Sequence, residues 1–395
     1  MEFPENQYYR VNRILLSVVG LWPYDNFKVR RLRFTLTLLI LITFSSTQLL
    51  TLFNSEYDKI HLLKILSFDL ICIACIMKYI SFYAVMENVK LLRQYVFDNW
   101  RILADEREIE IILRHANIGK YFTLIILTIG YITAFFCILI QYIPIILDIM
   151  KPLNVSRPHV FFIEAEYFID EQKYFHIIAI HINIAICVGS TSVISAETFV
   201  LANAFHAFGL FKVTSYRMQQ ISSGYDSQIC TTEKYVIFRN RITAATNMHK
   251  RAIKFSELLK ESFGPMYLIL VSGLIISISI NLFYVSNFLQ ILSTEGNILE
   301  IVKCIIFLFL HVIALFAGNY AGQEFINCDT NIYRMICNTQ WYNAPLRTQK
   351  LILFLIQKTT KCYKVDTVGL FYPSLEGLAS GLSMSISYFM VFCSM

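Results

Sequence analysis

Seven separate stretches of this chain are long and apolar enough to cross a lipid bilayer as helices: 32–52, 66–86, 122–147, 175–201, 265–290, 299–317 and 368–392. A hydrocarbon core of about 30 Å takes about 20 apolar residues in a helix. Within it every backbone N–H and C=O must find a partner, which an isolated run achieves only as a helix. Composition agrees: 56% of the 395 residues are hydrophobic and 16% are charged, against roughly 25% charged in soluble chains. No Pro/Gly/Ser-rich linker and no internal repeat divides the chain. It reads as one seven-helix membrane domain over 1–395, an all-α membrane protein. The N-terminal MEFPENQYYRVNR lacks the apolar core of a cleavable signal peptide, so insertion is expected to use the first span.

Sidedness follows from charge. Lys and Arg collect on the cytosolic side of a membrane. Of the 34 in this chain, 27 fall in the N-terminal segment and in the second, fourth and sixth loops, and 5 in the alternate loops. Removing the long fourth-to-fifth loop, where the rule weakens, leaves 18 against 5. The N-terminus is therefore expected in the cytosol and the C-terminus outside the cell. The sequon Asn154-Val155-Ser156 then falls in an outside loop. A seven-helix receptor that couples to G proteins has the reverse topology, and its Asp-Arg-Tyr and Asn-Pro-x-x-Tyr signatures are absent here.

Local patterns refine this picture. Pro265 stands where the fifth span is expected to begin, a position that suits proline. Pro144 is expected to kink the third span. Apolar residues recur near helical spacing through 100–113 and 234–260, so spans are expected to continue into the cytosol as a helical bundle. The run Leu351–Ile356 is too short to span, and basic residues flank it. It predicts a short cytosolic helix over 345–359, buried against protein.

Little in the sequence suggests catalysis. The ten cysteines avoid the outside loops, so no structural disulfide is expected. Cys72 and Cys75 form a CxxC pair inside an apolar span, where two small core residues one turn apart is the simpler account. There is no nucleophile with a base beside it and no phosphate loop. The basic residues follow topology rather than forming a nucleic-acid surface. An enzyme, a metal, a cofactor and a nucleic-acid partner are all not expected. Lys78, in the middle of the second span, is costly there by about 2.5–3.5 kcal/mol. It can snorkel to the cytosol, the reading preferred here, or pair with an acid such as Glu197. His181 and Asn183 can serve a ligand cavity or bond to neighbouring helices.

The seventh span carries no Lys or Arg. Ser380, Met384, Ser387, Val391 and Met395 recur at steps of four, three, four and four, so they share one face. Two readings stay open. One is the wall of an ion path narrowing to an apolar constriction, which requires a ring of subunits. The other is close helix packing, for which small residues are also chosen.

Several segments together resemble the insect odorant receptors. Trp341-Tyr342-Asn343-Ala344-Pro345-Leu346, preceded by Ile332-Tyr333, is similar to that family's Trp-Tyr-x-x-Pro-Leu motif. Ser374-Leu375-Glu376 and Ile386-Ser387-Tyr388-Phe389-Met390-Val391 resemble its final helix, and Gly20-Leu21-Trp22-Pro23 its N-terminal signature. Stretches around Asp98–Ile118 and Phe208–Arg217 resemble the large receptor expansions of ants and bees.

The resemblance implies an odorant-binding subunit of a ligand-gated, non-selective cation channel. Its partners would be olfactory co-receptor subunits in a heterotetramer, a small apolar odorant or pheromone, and membrane lipid. The cytosolic helices would form an anchor domain. The last helix would line the pore, with Ser380, Met384, Ser387 and Tyr388 along it and an apolar gate at Val391 and Met395. The second of these is Met where the family commonly has Leu. The odorant cavity would lie in the outer halves of the second to sixth spans. Those halves hold Phe68, Cys72, Cys75, Tyr79, Tyr131, Ala134, Phe135, Ile138, Ile177, Ile180, His181, Ile184, Phe283, Tyr284, Ile305 and Leu308. Ordinary helix packing remains the alternative for each. The chain lacks the co-receptor's long insertion in the fourth-to-fifth loop, which suggests a tuning receptor. Its expected location is the plasma membrane, in the dendritic cilia of olfactory sensory neurons. Rival readings are a gustatory-type channel of the same superfamily and a secondary transporter. The first would carry a Thr-Tyr pattern ending in Gln-Phe where Ser387-Tyr388-Phe389-Met390 stands. The second predicts internal symmetry and broken helices, and the sequence has neither.

Overall fold

The computed structural model describes residues 5–54, 59–103, 105–152, 157–221, 231–291, 298–360, 363, 365–367, 369 and 371–394. In chain order the helices are α1 (Glu5–Tyr8), α2 (Arg10–Val18), α3 (Phe27–Asn54), α4 (Lys59–Ala84), α5 (Met86–Arg101), α6 (Glu106–Met150), α7 (Phe175–Gln219), α8 (Thr231–Ile291), α9 (Ile298–Asn338), α10 (Leu346–Thr359) and α11 (Leu375–Ser394). Among the described residues α3, α4, α6, α7, α8, α9 and α11 are long and apolar enough to cross a membrane.

Four of these helices far exceed a bilayer. α6 and α7 have 45 residues each, α8 has 61 and α9 has 41. At 1.5 Å per residue, 45 residues reach about 68 Å, twice the hydrocarbon core. The excess lies at the end of the bundle where the Lys- and Arg-rich loops are, called the basic end here. The largest core of the molecule forms there. Phe205, Phe208 and Phe211 of α7 meet Ala245, Met248 and Phe255 of α8, Ile332 and Ile336 of α9, and Ile352 of α10. Polar ties accompany this packing. Arg217 grips Glu108 through two nitrogens, at 2.6 and 2.8 Å, joining α7 to α6. Asp329 accepts from His249 at 3.1 Å and from the Tyr363 backbone at 2.7 Å.

The N-terminal signature has a local physical role. Gly20 sits at φ +74°, and a Cβ there would lie 2.6 Å from the Phe34 nitrogen and 2.7 Å from the Arg30 carbonyl. Glycine alone tolerates that turn. The turn drops Leu21 and Trp22 into the basic-end core. The Arg93 guanidinium lies over the Tyr9 and Trp22 rings at 4.7 and 5.8 Å, a cation–π arrangement.

Some sequence expectations need correction. α8 does not begin at Pro265 but runs through it. The one lost backbone bond is set against burial of the adjoining Phe263 and Met266. The pattern over 100–113 is not one helix: α5 stops at Arg101 and α6 starts at Glu106. The seventh span starts at Leu375 rather than 368, because a Thr367–Phe371 bridge and Pro373 precede it. The helix expected over 345–359 is α10. It buries Thr348, Ile352, Leu355 and Thr359, while Leu353 and Phe354 stay exposed on its other side. Asn154 and Met395 lie outside the described residues.

The turn leading into α11 is held from several sides. Lys260 donates to Asp366 at 3.1 Å, and this bond pulls the Asp366 carboxyl below its ordinary pKa. Asn319 accepts from the Ser374 backbone at 3.1 Å. Gly322 of α9 lies so close to Pro373 that a Cβ would sit 2.1 Å from its carbonyl oxygen. Backbone cannot yield as a side chain can, so Gly322→Ala should destabilise the protein by about 1–3 kcal/mol. The check is the thermal denaturation midpoint of the purified chain, which should fall.

Candidate functional site

At the end opposite the basic loops, a second core gathers Phe44 of α3, Cys137 and Ile140 of α6, Phe162 and Ile163 of the α6–α7 loop, and Ile178, Ile182 and Ala185 of α7. Cys72, Tyr167 and Phe307 pack against it. The long loop is thus folded into the bundle end. Glu166 donates its backbone N–H to the Thr47 carbonyl at 2.9 Å. Phe307 of α9 is the pivot. Its ring meets Phe68 edge-on at 4.5 Å and stacks on Phe162 at 5.6 Å between centroids. Aromatic pairs favour both arrangements.

A few polar groups interrupt this apolar region. His181 bonds to the Tyr167 hydroxyl at 2.7 Å and to Thr43 at 3.2 Å. Gln141 donates to Asn183 at 3.0 Å, and Asn183 donates to Tyr142 at 3.2 Å. The buried Lys303 donates to the Phe161 carbonyl at 3.2 Å. On α4 and α8, Asn281 donates to Ser67 at 2.8 Å, and Ser277 lies 3.3 Å from Ser67. Apolar burial with a few oriented polar groups is the common make-up of small-molecule sites.

The residues expected at the cavity divide into groups. Phe68, Cys72, Ala134, Ile138 and His181 are buried or half-buried at this end of the bundle, and Phe68, Cys72 and His181 touch the cluster just described. Cys75 is half-buried and Tyr284 is buried. Phe135, Ile177, Ile180, Ile184 and Ile305 stand on the outer surface of the chain, exposed by 45–66%. Tyr131 is also exposed there, though its hydroxyl reaches Thr191 at 2.9 Å. Tyr79 belongs to the other core: it donates to the Val19 carbonyl and stacks on Phe34 at 5.0 Å. Phe283 faces α11 instead, 6.2 Å from Phe392, and Leu308 packs with the α8–α9 cluster of Val271, Ile275 and Leu315.

Those residues that stand on the outer surface do so through the rotational phase of their helices. On α7 the expected face is 177, 180, 181 and 184, whereas the structure buries 178, 182 and 185 and leaves His181 half-buried. On α9 it is 305 and 308, whereas Cys304 and Phe307 turn inward. Lipid accepts apolar side chains as readily as a protein interior does, so hydrophobicity does not fix the phase. Phe162, Tyr167 and Phe307 join this cluster without being expected there. The available signal was the aromatic content of the one long loop in this half.

Among the described residues no three His, Cys, Asp or Glu side chains are placed to hold a metal ion. Lys78 does not snorkel. It is 2% exposed, and its ammonium meets the Glu197 carboxylate across α4 and α7. A charge with a partner in reach is better satisfied there than by stretching to a distant interface.

The other candidate feature is α11. It packs on α8 and α9 through Leu378, Gly381, Leu382 and Ser385. Its opposite face, with Ser380, Met384, Ser387, Tyr388 and Val391, is exposed. Ala379, Ser380, Ser383, Met384, Ser387 and Tyr388 line an open groove of about 540 Å³. Close packing within the chain therefore does not account for the spaced Ser and Met residues. The helix pairs through Gly381 and Ser385 instead.

A family model described as 7tm Odorant receptor matches residues 60–386. The insect olfactory receptor OR5 from Machilis hrabei, solved in complex with eugenol, superposes with a TM-score of 0.80 at 14% identity, over 98% of this chain and 98% of that one. The same receptor in a second structure gives 0.73 at 15% identity, over 98% and 97%. Comparison with curated proteins gave no sequence match. The fold is thus that of a solved olfactory receptor, and the matched family model spans most of the sequence. The chain is a multi-pass membrane protein that belongs to the 7tm Odorant receptor family.

Proposed function

We propose that the chain is the odorant-binding, tuning subunit of a ligand-gated, non-selective cation channel completed by olfactory co-receptor subunits in a heterotetramer. The basic end with the N-terminus lies in the cytosol, the C-terminus lies outside, and the location is the plasma membrane of olfactory dendritic cilia. The observation that carries this reading is the uncovered face of α11. Ser380 and Tyr388 stand exposed on that face, and inside a bilayer lipid offers their hydroxyls no partner, whereas Ser387 donates to the Ser383 carbonyl at 2.9 Å within the helix. A water-filled path between subunits supplies the missing partner. Val391, exposed further along that face, places an apolar ring at its outer end, where dewetting can stop ions.

The odorant lodges around Phe307, among Phe68, Cys72, Phe162, Tyr167 and His181. α8 links that region to the pore. One of its sides bonds α4 through Asn281 and Ser67, and another carries Phe283 and Ile275 against α11. A ligand that moves α4 relative to α8 therefore shifts the support under α11. The solved neighbour's eugenol shows that this fold admits a small aromatic molecule. An apolar odorant or pheromone suits the lining here.

The test is expression in cells with and without the co-receptor, with a panel of volatile and waxy apolar compounds. Ligand-evoked cation current is expected only from the pair. Robust current from the chain alone would reject the tuning-subunit reading.

A further inference from the structure

One feature of the basic end is not explained by odorant gating. A cavity of about 620 Å³ opens between α5, α7 and α8, lined by Tyr95, Ile102, Arg217, Ala244, Asn247, Lys250, Arg251 and Lys254. Four of these side chains are cations and none is a carboxylate. Arg217 is neutralised from behind by Glu108. Lys254 is exposed, with its ammonium 5.3 Å from the Tyr95 ring centre. Lys250 and Arg251 are exposed and have no ion pair among the described residues. The nearest carboxylates in sequence do not line the cavity: Asp98 and Glu257 lie one turn beyond Tyr95 and Lys254, and Asp105, three residues past Ile102, accepts from the Tyr216 hydroxyl at 2.9 Å.

Each of Asn247, Lys250, Arg251 and Lys254 lies three or four positions from two of the others (247/250/251, 250/251/254), so α8 presents them as one stripe. Holding like charges together has an electrostatic cost, which a bound polyanion removes. A concave wall of several cations with a guanidinium among them suits clustered phosphate oxygens, which accept short, charge-assisted bonds. Depth separates the two sources of such phosphates. Lys254 and Lys250 precede the apolar window at 265 by 11 and 15 residues, about 16 and 22 Å along a helix. A headgroup held in the bilayer does not reach that far without leaving it.

We propose that this cavity binds a soluble, multiply phosphorylated small molecule of the cytosol, clamping α5 to α7 and α8. The cytosolic source rests on the inward placement of the basic end proposed above. Binding in detergent does not depend on that placement, so the two readings fail separately.

The experiment is calorimetric titration of the purified full-length chain in detergent with inositol hexakisphosphate, repeated at rising salt. Saturable binding that weakens with salt is expected. Lys250→Ala should weaken it roughly tenfold, and Lys250→Ala/Arg251→Ala/Lys254→Ala by roughly 100-fold or more. Lys350→Ala, an exposed lysine on α10 away from the cavity, should leave it unchanged. An unchanged thermal midpoint of the probe-free Lys250→Ala chain establishes that the loss is not misfolding. Absence of saturable binding, or equal binding by wild type and the cavity variants, would overturn the proposal. So would binding seen only in nanodiscs containing phosphatidylinositol bisphosphate, which would make the source a lipid.

Discussion

Glu197→Ala is expected to remove most of the correctly folded receptor. Lys78 is sealed between α4 and α7, and Glu197 is the acid it meets. Truncating the acid strands an ammonium inside the membrane-spanning bundle. Breaking a fully buried pair from one side costs about 3–5 kcal/mol; with Lys78 2% and Glu197 37% exposed the loss falls toward the lower end, still a large share of a stability of about 5–15 kcal/mol. The loss comes from the uncompensated charge rather than from the pair's net contribution. Replacing both partners by apolar residues of similar size is often close to neutral. The double variant Lys78→Met/Glu197→Met should therefore recover much of what Glu197→Ala loses. The measurement is the monodisperse fraction after solubilisation, with surface biotinylation in parallel. Equal yields from wild type and Glu197→Ala would show that Lys78 does not depend on this acid.

Val391→Ser should produce the second large effect, on conduction rather than folding. Val391 is half exposed, on the face of α11 that no other described residue covers. If that face lines the pore, a hydroxyl at an apolar constriction holds water where valine expels it. Co-expressed with a co-receptor, the variant should pass a resting cation current severalfold above wild type before any odorant is added. Ser385→Ala is the matched control. Ser385 is buried on the packing face, where it donates to the Gly381 carbonyl at 3.0 Å within its own helix. Its loss should leave resting current at the wild-type level. Identical resting and evoked currents in wild type and Val391→Ser, at equal surface density, would remove α11 from the ion path.

These two tests bear on features that were unequally visible beforehand. The Ser380–Met384–Ser387–Val391 stripe follows from spacing, because one helix fixes which of its own residues share a face. Which face turns to a neighbour does not follow. The Lys78–Glu197 pair spans 119 positions; the sequence names Glu197 as one acid that could serve but favours snorkelling, because nothing local brings the two together. The aromatic site shows the same limit. Phe307 meets Phe162 of a loop and Phe68 of another helix, and no local pattern announces that meeting.

By itself the sequence determined the number of spans, the helical class and the charge asymmetry between the two ends. Each of these is decided within short segments, by the need to satisfy the backbone in lipid or by the charges that flank a span. Tertiary structure alone decided the rotational phase of α7 and α9, the passage of α8 through Pro265, the partner of Lys78 and the uncovered side of α11. The physical reason is shared by all four. In a bilayer both the lipid and the protein interior accept apolar side chains, so hydrophobicity places a helix in the membrane without orienting it. Orientation is set by contacts between segments far apart in the chain, such as Gly381 against α8, Asn281 with Ser67, and Lys78 with Glu197.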